Sequence, residues 1–130
     1  DKITEYKLQN IYKLMGFYEN VEDFFSIFDV FVMSSEEEGL GSSVLDAFIY
    51  KVPVVSTNAG GLKETLSERG LLCPVKDAKC LANSINNMLE DKVLCRQLVS
   101  KAYKDVRQEY SLQDNIEKYL RIFKSFRLLK

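Results

Sequence analysis

Apolar residues along this 130-residue chain fall into short runs separated by stretches with helical spacing. Val21, Phe24, Phe25 and Phe28 recur at i, i+3, i+4 and i+7, which predicts a short helix over residues 21–28. Residues 29–33 (DVFVM) follow at once as a short apolar run, the pattern of a strand buried on both faces. Val44, Leu45, Phe48 and Ile49 then share one side of a helix predicted over 41–50. Residues 52–55 (VPVV) read as a second buried strand, and Gly60 and Gly61 open a helix reaching about Glu68. Residues 70–73 (GLLC) read as a strand closed by Pro74, and residues 10–16 (NIYKLMG) as a weaker strand ended by Gly16. From Asp77 the chain is predicted helical to its end, with breaks near Asp91 and at Tyr110 and Ser111. Ser111 fits the N-cap of the last helix, with Asp114 three residues on in a capping-box position.

Strands alternating with helices at this rhythm predict βαβ units, hence an α/β fold with a parallel sheet and helices on both faces. Right-handed crossovers follow from chain chirality. Such sheets bind ligands beyond the carboxyl ends of their strands, which directs attention to the loops after Met33, Val55 and Cys73.

Composition narrows the choice of chemistry. Hydrophobic residues are 46% and charged residues 28%, which fits one globular domain and excludes disorder or low complexity. No apolar run reaches the roughly 18 residues of a membrane span. Net charge is −1, but residues 1–65 carry 11 acids and 5 bases while residues 66–130 carry 8 acids and 13 bases. A nucleic-acid surface needs a cation for each phosphate contact and more bases than these, so only the C-terminal end could serve one, and no nucleic-acid partner is expected. Histidine is absent, which removes His-based catalysis and ordinary zinc sites from this chain. Cys73, Cys80 and Cys95 form no CxxC pair and read as reduced structural thiols, consistent with a cytoplasmic protein.

The loop after Met33 carries the densest chemistry: Ser34, Ser35, Glu36, Glu37, Glu38, Gly39, Leu40, Gly41, Ser42 and Ser43. Its glycines permit a tight turn, and the amides of Gly41, Ser42 and Ser43 would open the next helix as an anion site. The hydroxyls of Ser42 and Ser43 add donors, so a diphosphate suits this loop better than an apolar ligand. Counting eight residues forward, only Glu38 among the three glutamates meets another carboxylate, Asp46. Side chains lean toward a helix N-terminus, so Asp46 points back to the mouth where Glu38 sits. Two carboxylates flanking a phosphate nest can accept hydrogen bonds from sugar hydroxyls. The plainer alternative is that these acids only stabilise the helix dipole. The GxG here is not a dinucleotide fingerprint, because Val44 stands where the third glycine belongs. Gly60 and Gly61 follow Asn58 and Ala59; close packing against the neighbouring loop is favoured for them over ligand contact.

The stretches DVFVMSSEEEGLGSSVLDAF, KVPVVSTNAGGLKETL and GLLCPVKDAKCLANSINNMLED together resemble the C-terminal, donor-binding half of retaining glycosyltransferases of GT-B architecture. The resemblance is to the family 4 group, glycosyl transferases group 1, and runs from about Met15 to Phe123. Its Glu-x7-Glu motif is met by Glu38 and by Asp46, an aspartate where the family usually carries glutamate. The resemblance implies a Rossmann-like half and retaining transfer from a nucleotide-diphosphate sugar, with no metal. Glu38 would be the catalytic carboxylate on the transferred sugar. Gly39, Leu40, Gly41, Ser42 and Ser43 would face the sugar and diphosphate, Asp46 would hold the ribose, and Phe17 and Tyr18 would frame the base.

Further expectations follow from the same likeness. The family's basic pair for the diphosphate has no counterpart before Met15, and two strands of the sheet and the acceptor-binding domain are missing. With Asp1 rather than Met first, residues 1–130 read as a partial, N-terminally truncated domain, inactive alone, with a helical segment from about residue 77. The strand at residues 10–15 would then be displaced, or an exposed sheet edge would pair with another chain. In the final helix Ile116, Tyr119, Leu120, Phe123 and Phe126 form one stripe opposite Lys118, Arg121 and Lys124, with Leu128 and Leu129 beyond it. That face suits docking on the core or on the absent half, or contact with an anionic membrane at its inner face. Acceptors of the group include glycans and lipids, as in polysaccharide or lipopolysaccharide biosynthesis. The alternative is a non-catalytic remnant or interaction module that keeps the fold without donor binding.

Overall fold

A computed structural model describes residues 2–127. Their order is α1 (Lys2–Glu5), α2 (Glu22–Phe25), β1 (Phe31–Met33), α3 (Ser42–Ile49), β2 (Val54–Thr57), α4 (Leu62–Leu66), β3 (Leu71–Cys73), α5 (Ala78–Glu90), α6 (Lys92–Glu109) and α7 (Leu112–Arg127). The strands form one parallel sheet in the order β1-β2-β3, with Phe31 opposite Val54 and Val55 opposite Leu71. The α/β architecture is therefore as expected.

Strand β2 lies two residues further along than the VPVV run predicts, and all four of its residues are buried. Val54 and Val55 point to opposite faces and are both 0% exposed, so the sheet is covered on both sides. One cover is the core of Val44, Ala47 and Phe48 from α3 with Leu62 and Leu66 from α4, completed by Ala102 and Val106 of α6. On the other, α5 packs against β2 and β3. Burial of a side chain the size of Phe48 contributes roughly 1.5–3 kcal/mol. Ser56 and Thr57 enter this apolar strand because their hydroxyls find backbone acceptors, the Thr57 and Ser35 carbonyls at 3.0 and 2.6 Å.

The helical tail breaks where expected. Asp77 accepts from the Cys80 amide at 2.9 Å, and Asp91 caps α6 by accepting from Val93 and Leu94 at 3.0 and 2.9 Å. Ser111 accepts from the Asp114 amide at 3.1 Å. Arg69 ties the α4–β3 turn to α6, with Nε 2.9 Å from Asp105 and Nη2 2.6 Å from Glu109.

Three expectations fail. Residues 10–16 form no strand; Ile11 and Leu14 are 83% and 73% exposed, with no neighbouring strand to receive them. Strand β1 is not buried on both faces, since Val32 is 37% exposed and Phe31 and Met33 are half-buried; among the described residues β1 pairs only with β2, which leaves the expected sheet edge. The apolar stripe of α7 does not cover the core, since Ile116, Tyr119, Leu120, Phe123 and Phe126 are all exposed. The α6–α7 contact instead half-buries the polar Ser111, Asp114 and Asn115 at the start of α7. Leu128 and Leu129 lie outside the described residues. No described helix is long and apolar enough to cross a membrane.

Candidate active site

The loop joining β1 to α3 runs along the carboxyl end of the sheet, and three hydrogen bonds from two neighbouring elements fix its course. The buried Thr57 hydroxyl at the end of β2 donates to the Ser35 carbonyl at 2.6 Å. The Gly61 amide donates to the Glu38 carbonyl at 3.1 Å. The buried Thr65 hydroxyl in α4 donates to the Leu40 carbonyl at 2.9 Å. Gly60 and Gly61 pack directly on this loop, because a Cβ on either would lie 2.0 Å or 2.2 Å from the Glu38 or Gly39 oxygen. Their expected role as close-packing residues is what the geometry shows.

Gly41 turns the chain into α3 with φ of +72°, a conformation that disfavours residues with a side chain. No side chain caps this helix start. The Ser42 and Ser43 amides occupy the first turn, where no helical acceptor precedes them, so they are available to an anion together with the helix dipole. Ser42 is exposed and Ser43 half-buried. Gly39 differs from the other loop glycines, since its φ is not positive and an added Cβ would meet nothing within 4 Å. Packing within the chain does not require glycine there.

Glu38 is half-buried, and its Oε1 accepts from the Gly39 amide at 3.0 Å. The Gly39 amide is thereby paired with the neighbouring carboxylate. The second oxygen of Glu38 remains for another donor. Asp46 sits in the second turn of α3, exposed, one turn beyond Ser42. Ser42 and Asp46 line one open groove of about 580 Å³ whose far wall is Tyr103, Arg107 and Tyr110 of the α6 end. A smaller cleft of about 210 Å³ lies between Ser34, Glu36, Thr57, Lys76 and Asp77, with Lys76 Nζ 3.1 Å from Glu36. Both partners of that pair are exposed, so it contributes little to stability.

Phe17 is 90% exposed, and Tyr18 packs edge-on against Phe24 at 4.9 Å in a separate apolar groove. The structure therefore brings Glu38 to Ser43 and Asp46 onto one continuous loop-and-helix unit, while Tyr18 lines a different groove from Ser42 and Asp46. Lys63 is exposed. Sequence reasoning missed Thr57 and Thr65. For Thr57 the only local hint is a β-branched hydroxyl residue just behind an apolar run, and Thr65, inside α4, has none.

The cysteines are free, and burial first, then the Cys80 side chain, pushes the Cys73 thiol up, which makes it a poor nucleophile. Among the described residues no cluster of three His, Cys, Asp or Glu side chains is arranged to hold a metal ion.

The sequence model of the glycosyl transferases group 1 family matches residues 1–105. The chain is 29% identical over 115 residues to the lipopolysaccharide core biosynthesis glycosyltransferase LpsE of Rhizobium meliloti, covering 87% of this chain and 34% of LpsE. It is 27% identical over 111 residues to the N-acetyl-alpha-D-glucosaminyl L-malate synthase of Bacillus anthracis, covering 84% and 29%. The chain thus spans about a third of the length of these curated relatives. In structure it is similar to HepE of Anabaena in complex with UDP-glucose, with a TM-score of 0.86, 25% identity and coverage of 95% of this chain and 35% of HepE.

Proposed function

The chain belongs to the glycosyl transferases group 1 family, and from that premise we propose that it binds the nucleotide-diphosphate sugar used in retaining glycosyl transfer. The observation that carries this reading is the tethered loop that leads from Glu38 into the uncapped first turn of α3, with Asp46 lining the same groove as Ser42. The amides and hydroxyls of Ser42 and Ser43, with Gly41, receive the diphosphate and stabilise it as it departs. Leu40 and Gly39 form the surface on which the sugar rests. Glu38 accepts from sugar hydroxyls through its second oxygen, and Asp46 accepts from the ribose. The exposed ring of Phe17, with Tyr18, frames the base. In the transfer, the bond from the anomeric carbon to the diphosphate oxygen breaks. A bond to the acceptor oxygen forms on the same face of the sugar, and the acceptor's hydroxyl proton passes to the departing diphosphate oxygen. HepE, a structural neighbour, is held with UDP-glucose, which supports a nucleotide-sugar ligand.

The second reading is a family module without donor binding, favoured by Asp46 standing one methylene short of the family's usual glutamate. Calorimetry with UDP, GDP and ADP sugars decides between them. Saturable binding of one donor is expected, unchanged by EDTA because the reading assigns no metal. Ser42→Ala is expected to weaken both the sugar nucleotide and the bare nucleoside diphosphate, and Glu38→Gln the sugar nucleotide alone. Absence of binding by all three donors would leave the second reading standing.

A further inference from the structure

We propose that Thr57 and Thr65 are positioning residues for the donor site, holding the 34–41 loop by its backbone although neither meets the ligand. The inference rests on the donor-binding reading above.

Both threonines are almost wholly buried, at 4% and 1% exposure, so their hydroxyls have no water to fall back on. Each finds an acceptor in the loop rather than only in its own element. Thr57 Oγ1 lies 2.6 Å from the Ser35 oxygen and 3.5 Å from the Met33 oxygen, 22 and 24 residues away in sequence. Thr65 Oγ1 lies 2.9 Å from the Leu40 oxygen, and 3.1 Å from the Gly61 oxygen of its own helix. The hydroxyl has one proton for two carbonyl acceptors, and the shorter distance gives it to Leu40 of the loop rather than to Gly61 of its own helix.

The two anchors bracket Glu38, with Ser35 on one side and Leu40 on the other, and the Gly61 amide holds Glu38 itself. Leu40 directly precedes Gly41, whose left-handed backbone aims the first amides of α3. Displacing the Leu40 carbonyl therefore turns Gly41, and with it the direction of the Ser42 and Ser43 amides. An anion site depends on the direction of its N–H groups, because hydrogen bonds weaken steeply off axis. Release of Thr65 is accordingly expected to act most on the diphosphate, and release of Thr57 on the Glu36 to Glu38 end of the loop.

The test replaces each hydroxyl by a methyl, Thr57→Val and Thr65→Val, with Thr57→Ser and Thr65→Ser as conservative partners. Two readouts are taken on each folded protein: amide hydrogen exchange across residues 35–43, and UDP binding by calorimetry. The valine variants are expected to speed exchange in the loop and weaken UDP by about tenfold, the scale of a lost buried hydrogen bond. The serine variants are expected to restore both. Exchange in the loop unchanged by both valine variants overturns the inference. So does wild-type UDP affinity in both. Should a valine variant fail to fold, Thr65→Cys keeps the volume with only a weak S–H donor and is expected to fall between wild type and loss; wild-type behaviour there overturns the proposal. The exchange readout needs no ligand. Failure of wild type to bind UDP therefore counts against the donor reading, and the loop result still decides the tether.

Discussion

The α-carbon of Gly61 faces the Gly39 carbonyl so closely that an added Cβ would stand 2.2 Å from its oxygen, whereas a Cβ on Gly39 itself meets nothing within 4 Å. One glycine is demanded by the protein's own packing and the other is not. Gly61→Ala is expected to push the loop away and to cost roughly 1–3 kcal/mol, read as a lower urea midpoint. Gly39→Ala is expected to leave the midpoint within about 0.5 kcal/mol and to weaken the donor sugar nucleotide in calorimetry. Equal destabilisation by the two would show that Gly39 is structural after all.

Asp46 lets the length of a carboxylate arm be tested directly. It is exposed on α3, so Asp46→Glu should not disturb folding. The added methylene is expected to tighten nucleotide binding several-fold, and Asp46→Ala to weaken it. Titration of UDP into the three proteins checks the order Glu, Asp, Ala; an identical affinity in all three would remove Asp46 from the ribose contact.

Stability should depend on pH through α6. The hydrogen bond from Arg69, opposed by burial and helped by Lys101, holds the Asp105 carboxyl below its ordinary range. Burial acts to lower the Arg69 pKa, but Asp105 and Glu109 outweigh it and leave the guanidinium raised. A depressed carboxylate stabilises the fold at pH above its unfolded value of about 3.9, and that contribution disappears as pH falls through the lower folded value. Urea midpoints from pH 7 to pH 2 are expected to show wild type and Asp105→Asn separated at neutral pH and converging in acid. A constant separation would count against the Arg69–Asp105 pair as its source. The raised Arg69 loses its contribution only in strong alkali.

Asp91 holds the break between α5 and α6 by accepting from two amides. Asp91→Ala is expected to cost about 1 kcal/mol, and Asp91→Asn or Asp91→Ser much less, in thermal or urea unfolding.

Much of this fold is legible from residue spacing. The apolar runs at residues 29–33 and 70–73 contain β1 and β3, and the caps at Asp77, Asp91 and Ser111 divide the helical tail as their side chains require. Strand β2 was harder to read, because hydropathy ends at Val55 while the strand continues through Ser56 and Thr57. Thr57 is satisfied by the distant Ser35 carbonyl and Ser56 by the adjacent Thr57 carbonyl, and hydropathy shows neither bond. The same limit hid Thr65. At residues 10–16 the pattern misled in the other direction: apolar residues alone do not make a strand without a sheet neighbour. The run from Glu38 to Ser43 is legible as one loop entering α3 because that depends on consecutive residues. That Glu38 takes the Gly39 amide depends on a rotamer, and no spacing rule reaches it.

The three anchors of the 34–41 loop grip the carbonyls of Ser35, Glu38 and Leu40, and none grips a loop side chain. Any non-proline residue supplies the same amide and carbonyl, so the path of the loop is insulated from much of its own wording. Glu36 and Glu37, both exposed, can be rewritten without bending the frame that presents them. A scaffold that separates course from content in this way gives ligand preference room to drift while the geometry of the turn into α3 stays inherited.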